Sequence, residues 1–207
     1  MNLKERQIVS ALAESVRVMT VEQISATWWT NTRWGKSRAK ACLQELVDEG
    51  WIHLQRALVR KVHQPLRPLV AWDPGDSQPE FEELARVLHR RAMSDAKFAT
   101  VAYAAKRAVL FFGSGPAPSV KLTQLTHDLN VSEIYLRVFR CRDDGTRWLS
   151  EDRLPSDWPM RERPDAVLVG ESGKTLRAIE YGGDYPVSRL QELHTAFAKA
   201  DLGYQLW

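Results

Sequence analysis

Residues 31–61 read NTRWGKSRAK-ACLQELVDEG-WIHLQRALVRK and decide the fold of the N-terminal part of the chain. The first ten residues hold four cations and no acid. The next ten place apolar side chains at the spacing of an amphipathic helix, and Gly50 is positioned to end that helix in the left-handed conformation. An alternating segment of the kind that forms a β-strand follows, and it carries Arg56, Arg60 and Lys61. A helix with a cationic start and a basic strand after it indicates contact with an acidic polymer.

Two further helices are predicted before this stretch. Apolar residues recur at four-residue steps from Ile8 to Val16, which predicts a helix over residues 3–18. Thr20 and Gln23 have the spacing of a capping box, so a second helix is expected to begin there and to run to about Trp28. The remaining elements are a third helix over residues 36–49 and a hairpin over residues 51–72. Three helices followed by a basic hairpin predict a winged helix-turn-helix domain over residues 1–72.

This fold predicts which residues contact double-stranded DNA. Its third helix enters the major groove by its N-terminus, and its wing follows the backbone. We therefore predict nine contact residues: Arg33, Trp34, Lys36, Ser37, Arg38, Lys40, Arg56, Arg60 and Lys61. The alternative is that the cations form a solvated helix face, as charge runs usually do. Residues 1–70 hold eleven Lys and Arg against six Asp and Glu, while the whole chain has a net charge of +3, and this imbalance favours DNA.

Composition limits the class of protein. The chain has 207 residues, 44% hydrophobic and 27% charged, which suits one large or two small folded domains. Cys42 and Cys141 are isolated, which indicates a reducing cytoplasm rather than a disulfide framework or a zinc site. The sequence shows no signal peptide and no long apolar run, so we expect a cytoplasmic protein without a membrane partner.

Turn-forming residues 72–79 (WDPGDSQP) predict the first domain boundary. Residues 73–118 are expected to be a linker with connecting helices. It would contain a helix over 80–93, an apolar segment over 98–113 in which a helix turns into a strand, and a loop over 113–118. Residues 119–207 are expected to form a small α+β domain with a mixed sheet. Its predicted elements are a helix over 122–129, a strand over 131–139, a turn at 143–145, antiparallel strands over 163–170 and 175–181, a helix over 186–200 and a strand over 204–207.

The C-terminal domain resembles the PD-(D/E)xK nuclease fold. Arg163-Pro-Asp165 opens a strand, Glu180 lies near the end of the next strand, and a helix begins near Pro186. With His127-Asp-Leu-Asn130 and Ser150-Glu151, this layout is similar to the replication-relaxation family of plasmid and mobile-element proteins. The resemblance covers both halves of the chain. It implies a winged helix followed by a degenerate, restriction-endonuclease-like domain, and a role in DNA replication, relaxation or transfer.

The acids of that resemblance define a candidate metal site. In active members of the nuclease fold two acids hold a divalent metal, so Asp165 and Glu180 would be Mg²⁺ ligands and Glu151 a third catalytic acid. Active members carry a lysine two residues after the second acid, where this chain has Gly182. Arg189 in the following helix is the nearest substitute. We therefore expect a domain without cleavage activity and without a cofactor.

Two alternatives to that expectation stay open. The first is a Mg²⁺-dependent DNA endonuclease that uses Glu151, Asp165 and Glu180. The second is a transcriptional repressor whose C-terminal half dimerises or docks a partner. In the preferred hypothesis the partners are double-stranded DNA and, in addition, a second copy of the chain or a DNA-processing protein.

Overall fold

The computed structural model describes residues 1–64, 66–113, 120–140 and 144–207, with only the backbone of Phe139. The expected loop over 113–118, the first residue of the expected turn at 143–145, and Cys141 lie outside this range or at its edge. Short π-helical turns cover residues 11–15 and 135–139. The elements in chain order are α1 (Leu3–Ser10), β1 (Met19–Thr20), α2 (Val21–Trp28), α3 (Arg33–Asp48), β2 (Ile52–Arg60), β3 (Val70–Trp72), α4 (Phe81–Ala92), β4 (Ala96–Ala104), α5 (Lys106–Phe112), α6 (Leu125–Ile134), β5 (Arg147–Ser150), β6 (Ala166–Val169), β7 (Thr175–Glu180), α7 (Val187–Lys199) and β8 (Tyr204–Leu206).

The chain has an α+β fold and divides into two compact units. Unit 1 comprises Met1–His63 and Ala96–Arg137, and unit 2 comprises Gln64–Asp95 and Val138–Trp207. The units are interleaved, so they differ from the continuous domains expected over 1–72 and 119–207. The segment expected to be a linker instead supplies α4 to unit 2 and β4 and α5 to unit 1. The reason is that β4, the partner of β2, follows Gln64–Asp95, a segment of unit 2 inserted into unit 1. No helix in the described part of the chain is long and apolar enough to cross a membrane.

Three helices form the core of unit 1. They bury a cluster of apolar side chains that includes Ile8, Leu12, Ile24, Leu43 and Leu46. The predicted capping box of α2 is confirmed, since Thr20 Oγ1 accepts a hydrogen bond from the Gln23 amide and the Gln23 side chain accepts one from the Thr20 amide. Gly50 follows α3 with a φ of 74°, which confirms the predicted left-handed stop.

The sheet of unit 1 is antiparallel, in the order β1-β4-β2. β2 pairs with β4 from Ile52 opposite Ala104 to Arg60 opposite Ala96. The hairpin expected over residues 51–72 is therefore wrong in its second strand, because β4 takes that place and β3 belongs to unit 2. The expectation for residues 98–113 is wrong in its order. Strand β4 comes first because its residues alternate between two faces of the sheet, and the apolar run that follows forms α5.

The strand expected over residues 131–139 is wrong, because these residues continue α6 and its π-helical turn. Leu125 and Leu129, four residues apart, are buried against one face of the unit 1 sheet. One turn later Glu133 forms an ion pair with Arg137. Contacts at helical spacing therefore override the alternation of apolar residues in this segment.

Unit 2 has a five-stranded mixed sheet in the order β3-β8-β7-β6-β5. β5, β6 and β7 are antiparallel neighbours, whereas β8 is parallel to β7 and antiparallel to β3. Helices α4 and α7 cover one face, where Leu88, Leu190 and Phe197 are buried. The predicted positions of α4, β6, β7, α7 and β8 are confirmed to within a few residues. The strand that precedes β6 is β5, not residues 131–139.

Candidate functional site

The turn between α2 and α3 determines where α3 begins. Thr32 caps the helix by accepting a hydrogen bond from the Gly35 amide at 3.2 Å. The Ser25 hydroxyl donates to the Thr30 carbonyl at 2.8 Å, and a Cβ atom on Gly35 would lie only 2.0 Å from that carbonyl oxygen. The glycine therefore allows a close approach of the turn to the helix. As a result α3 begins at Arg33, three residues earlier than predicted.

Exposed polar and cationic side chains cover the N-terminal half of α3. An open cleft at this end is lined by Asn31, Thr32, Arg33, Lys36, Ser37 and Lys40. The structure thus brings together four of the six predicted contact residues of this helix. The other two, Trp34 and Arg38, are exposed beside the cleft, and the Trp34 side chain is 63% exposed.

The electrostatic environment of the cleft is positive. The first turn of α3 contains no acid. The helix dipole adds a positive partial charge at the same end, so a cation placed there costs about 0.3–1 kcal/mol of helix stability unless an anion compensates it. Unit 1 as a whole holds fifteen Lys and Arg against eight Asp and Glu, a net charge of +7. Unit 2 holds fourteen Lys and Arg against eighteen Asp and Glu, a net charge of −4. The two units therefore differ more in net charge than residues 1–70 differ from the rest of the chain.

The ribbon formed by β2 and β4 carries the second predicted group, Arg56, Arg60 and Lys61, and all three are exposed. At its start, Ile52 and Leu54 contact the core of the three helices. Because side chains alternate along a strand, Arg56 and Arg60 lie on this same helical side of the ribbon, beyond the core. The Arg60 amide donates to Thr126 Oγ1 at 3.0 Å and thereby attaches the end of β2 to α6.

Two exposed apolar residues lie among these arginines. Leu58 and Phe98 are direct partners in the register of β2 and β4, and their side chains are 58% and 63% exposed. The Arg56 guanidinium lies over the Phe98 ring, 4.6 Å from its centroid. Sequence reasoning missed both residues. The spacing of Leu58, two residues from an arginine on either side, was a signal that it shares their face, but Phe98 could not be found without the register.

The two acids of the candidate metal site are neighbours in the sheet of unit 2. Asp165 directly precedes β6 and Glu180 ends β7, so the pairing of these strands places them opposite each other. Asp165 accepts a hydrogen bond from the Tyr181 amide at 2.7 Å, and Glu180, which is 5% exposed, accepts one from the Tyr185 hydroxyl at 2.9 Å. Burial, reinforced by the Glu180 carboxylate, raises the pKa of Tyr185, so this hydroxyl stays protonated and donates.

A three-acid group is not assembled. Glu151 approaches through its backbone, whose amide donates to the Asp165 carbonyl at 2.8 Å. Among the residues that the structure describes, no group of three or more His, Cys, Asp and Glu side chains is placed to hold a metal ion. The structure therefore does not bring Glu151, Asp165 and Glu180 together as a three-acid metal site, and metal binding by Asp165 and Glu180 alone stays a prediction.

Gly182, where the resemblance would place a lysine, is closely packed. A Cβ atom on Gly182 would lie 2.6 Å from Leu88 Cδ2 on α4 and 3.2 Å from Leu206 Cδ1 on β8. Arg189, the nearest substitute, instead donates to Glu162 at 2.7 Å. The Arg189 guanidinium is thus held by Glu162, and it lies 5.9 Å from the centroid of the Tyr185 ring.

No protein-family model matches the chain, and no curated protein and no solved structure matches it either. The resemblance to the replication-relaxation family thus stays a prediction from short motifs.

Proposed function

We propose that unit 1 binds double-stranded DNA as a winged helix-turn-helix, with α3 in the major groove and the β2–β4 ribbon as the wing. The order of its elements supports this proposal. α2 and α3 are joined by a short capped turn, and β2 and β4 form an antiparallel ribbon that extends beyond the helical core. A helix-turn-helix presents the N-terminal residues of its second helix to base edges.

The observation that carries the proposal is the cationic cleft at the start of α3. Arg33, Lys36 and Lys40 line it, and no acid in the first turn neutralises them. A merely solvated helix face would gain stability from acids at this end and cations at the other. The chain has the opposite arrangement, which is unfavourable for the isolated helix and favourable for a bound phosphate. The arginines of the ribbon lie on the helical side of the sheet, where the same duplex can reach both elements.

The biological role we propose follows from the resemblance. A protein of the replication-relaxation type would act in the replication, relaxation or transfer of a plasmid or mobile element. Unit 2 would then contribute a scaffold for contact with a second copy or a DNA-processing protein, without cleaving DNA itself. The order of elements in unit 2 supports the nuclease-like character: α4 is followed by three antiparallel strands, by α7 and by a strand parallel to its neighbour. Asp165 and Glu180 lie side by side in this sheet.

Loss of cleavage is proposed from the contacts of the acids. Glu180 and Asp165 are engaged by Tyr185 and by a backbone amide, and Leu88 fills the space next to Gly182. The competing function is a metal-dependent endonuclease. Supercoiled plasmid incubated with Mg²⁺ or Mn²⁺ should stay intact. Nicking by the unmodified protein that Asp165→Ala abolishes would establish the endonuclease instead.

Binding to duplex, single-stranded and forked DNA over a salt range of about 50–200 mM tests the proposed function. We expect duplex to be bound with a log–log slope of about −0.9 for each phosphate contacted. Replacing Arg56, Arg60 and Lys61 with alanine should weaken binding about equally on all duplex sequences, because wing cations contact phosphate. Alanine at Arg86, Arg90 and Lys199, three exposed cations of unit 2, is the matched control. Losses confined to one preferred duplex would show that the wing reads sequence, and a flat salt profile would contradict DNA binding.

A further inference from the structure

The exposed pair of Leu58 and Phe98 has no role in phosphate contact. We propose that this pair enters the minor groove of a bound duplex and wedges between base pairs, so that the protein bends the DNA it binds. The inference rests on the proposed function of unit 1 and adds to it a second groove contact and a deformation of the DNA.

The two side chains form one apolar projection. They are direct cross-strand partners, which places their Cβ atoms roughly 5 Å apart. Both side chains are more than half exposed. On the same face of the ribbon, Ile52 and Leu54 contact the helical core. On the opposite face Ala57 and Val59 are buried against α6, so α6 supports the ribbon from behind. The projection is therefore presented on a supported strand pair and not on a loop.

The charge around the pair identifies nucleic acid as the occupant. Arg56 and Arg60 flank Leu58 on the same face, and Arg56 stacks on the Phe98 ring. The side chain opposite Arg56 is that of Thr100, so no acid contributes to this patch from the paired positions. An apolar protein partner would have to desolvate these guanidinium groups. A narrow minor groove, in contrast, attracts arginine while apolar side chains unstack a base step.

Strands of β-ribbon proteins contact DNA in the minor groove as well as in the major groove. Proteins that kink DNA through the minor groove insert Phe, Leu or similar side chains and bend the duplex by roughly 20–90°. In such complexes the energy needed to unstack a step is offset by the additional surface that the bent duplex contacts. Here that additional surface would be the cationic half of α3.

Fluorescence energy transfer between dyes at the two ends of a duplex tests this inference. The unmodified protein should raise the transfer efficiency, and Leu58→Ala/Phe98→Ala should bind with an unchanged salt slope while leaving the duplex straight. Both positions are exposed, so the substitutions should not unfold the protein, which circular dichroism checks. The matched control is Leu110→Ala/Phe111→Ala on α5, an exposed Leu/Phe pair of the same unit, which should bend DNA as the unmodified protein does.

Three results would overturn the inference. A duplex that is bound but stays straight, or that is bent equally by the double variant, would contradict the wedge while leaving DNA binding intact. A loss of affinity for single-stranded DNA, without any change in duplex bending, would show that the pair stacks on unpaired bases. Absence of any duplex binding by the unmodified protein would refute the proposed function and the wedge together.

Discussion

Gly35→Ala should destabilise unit 1, although the same change within an ordinary helix stabilises it by about 0.5–1 kcal/mol. The reason is the distance of 2.0 Å between a Cβ atom at this position and the Thr30 carbonyl oxygen. To reach an ordinary contact of 3.4 Å, helix and turn must separate by about 1.4 Å. That movement breaks the 2.8 Å hydrogen bond from the Ser25 hydroxyl, which is fully buried.

The size of the effect can be worked from these contacts. Overpacking costs about 1–3 kcal/mol, and a buried hydroxyl left without its acceptor costs about 1–3 kcal/mol. After subtraction of the gain in helix propensity, we expect the free energy of unfolding to fall by about 1–5 kcal/mol. Urea denaturation followed by circular dichroism measures it.

The control for this prediction is Gly50→Ala. Gly50 has a φ of 74° and no atom within 4 Å of a new Cβ, so the only cost is a left-handed residue, about 1–2 kcal/mol. DNA binding should survive this change and should be weakened by Gly35→Ala, because only the latter displaces the start of α3. A Gly35→Ala protein at least as stable as the unmodified one would refute the close approach and with it the geometry of the turn.

Three further outcomes are expected. A hydrogen bond from Arg189 lowers the pKa of Glu162 below 4.5, so the ion pair stabilises unit 2 above that pH and loses its effect as the pH falls through the lowered pKa. Glu162→Gln should therefore lower the free energy of unfolding by about 0.2–1 kcal/mol at neutral pH and not at all in acid, as urea midpoints will show. Burial raises the pKa of the Cys42 thiol from 9.0 to about 11, so Cys42 should be alkylated near neutral pH roughly 100-fold more slowly in the native than in the denatured protein. Mass spectrometry measures both rates, and equal rates would contradict the burial of Cys42. Gly182→Ala should destabilise unit 2 by about 1–3 kcal/mol, and the loss should shrink in a Leu88→Ala background; additive losses would show that the two residues do not compete for the same space.

Local signals in the sequence predicted the elements that depend on local chemistry. The capping box at Thr20, the glycine after α3 and the strands on either side of Gly173 are all confirmed. Each is set by residues within four or five positions of one another, so a single stretch of sequence contains the necessary information. The α+β class follows from the same signals.

Pairing between distant segments was not predictable in this way. The sequence predicts a hairpin over residues 51–72, in which the residues that follow β2 would form its partner strand. The actual partner, β4, begins at Ala96, 36 residues after the end of β2 at Arg60, and the residues between them belong largely to unit 2. The choice depends on which strand can bury its apolar face, and that is known only when the sheet is assembled. For the same reason Phe98 was missed as a neighbour of Leu58.

In the candidate sites too, features set by neighbouring residues were predictable and features set by distant residues were not. The cations of α3 were found because they are adjacent in sequence, and the structure brings Arg33, Lys36 and Lys40 to one cleft. Asp165 and Glu180 were found because a hairpin joins their strands. Glu151 joins them in the prediction through the resemblance alone, and the structure shows its backbone amide, not its carboxylate, next to Asp165. The obstruction at Gly182 could not be predicted, because it comes from Leu88 on a helix nearly one hundred residues away in the chain.

The salt dependence of duplex binding by the Lys36→Ala/Arg38→Ala/Lys40→Ala variant shows whether α3 lies on the DNA. These side chains avoid the apolar face of α3, so the variant should stay folded, and circular dichroism confirms this before binding is measured. If all three contact phosphate, the slope of log binding constant against log salt should become shallower by roughly 2–3 units, and affinity should fall on every duplex. Alanine at Arg86, Arg90 and Lys199 in unit 2 should leave the slope unchanged. A folded α3 variant with the slope of the unmodified protein would contradict the placement of α3 on DNA.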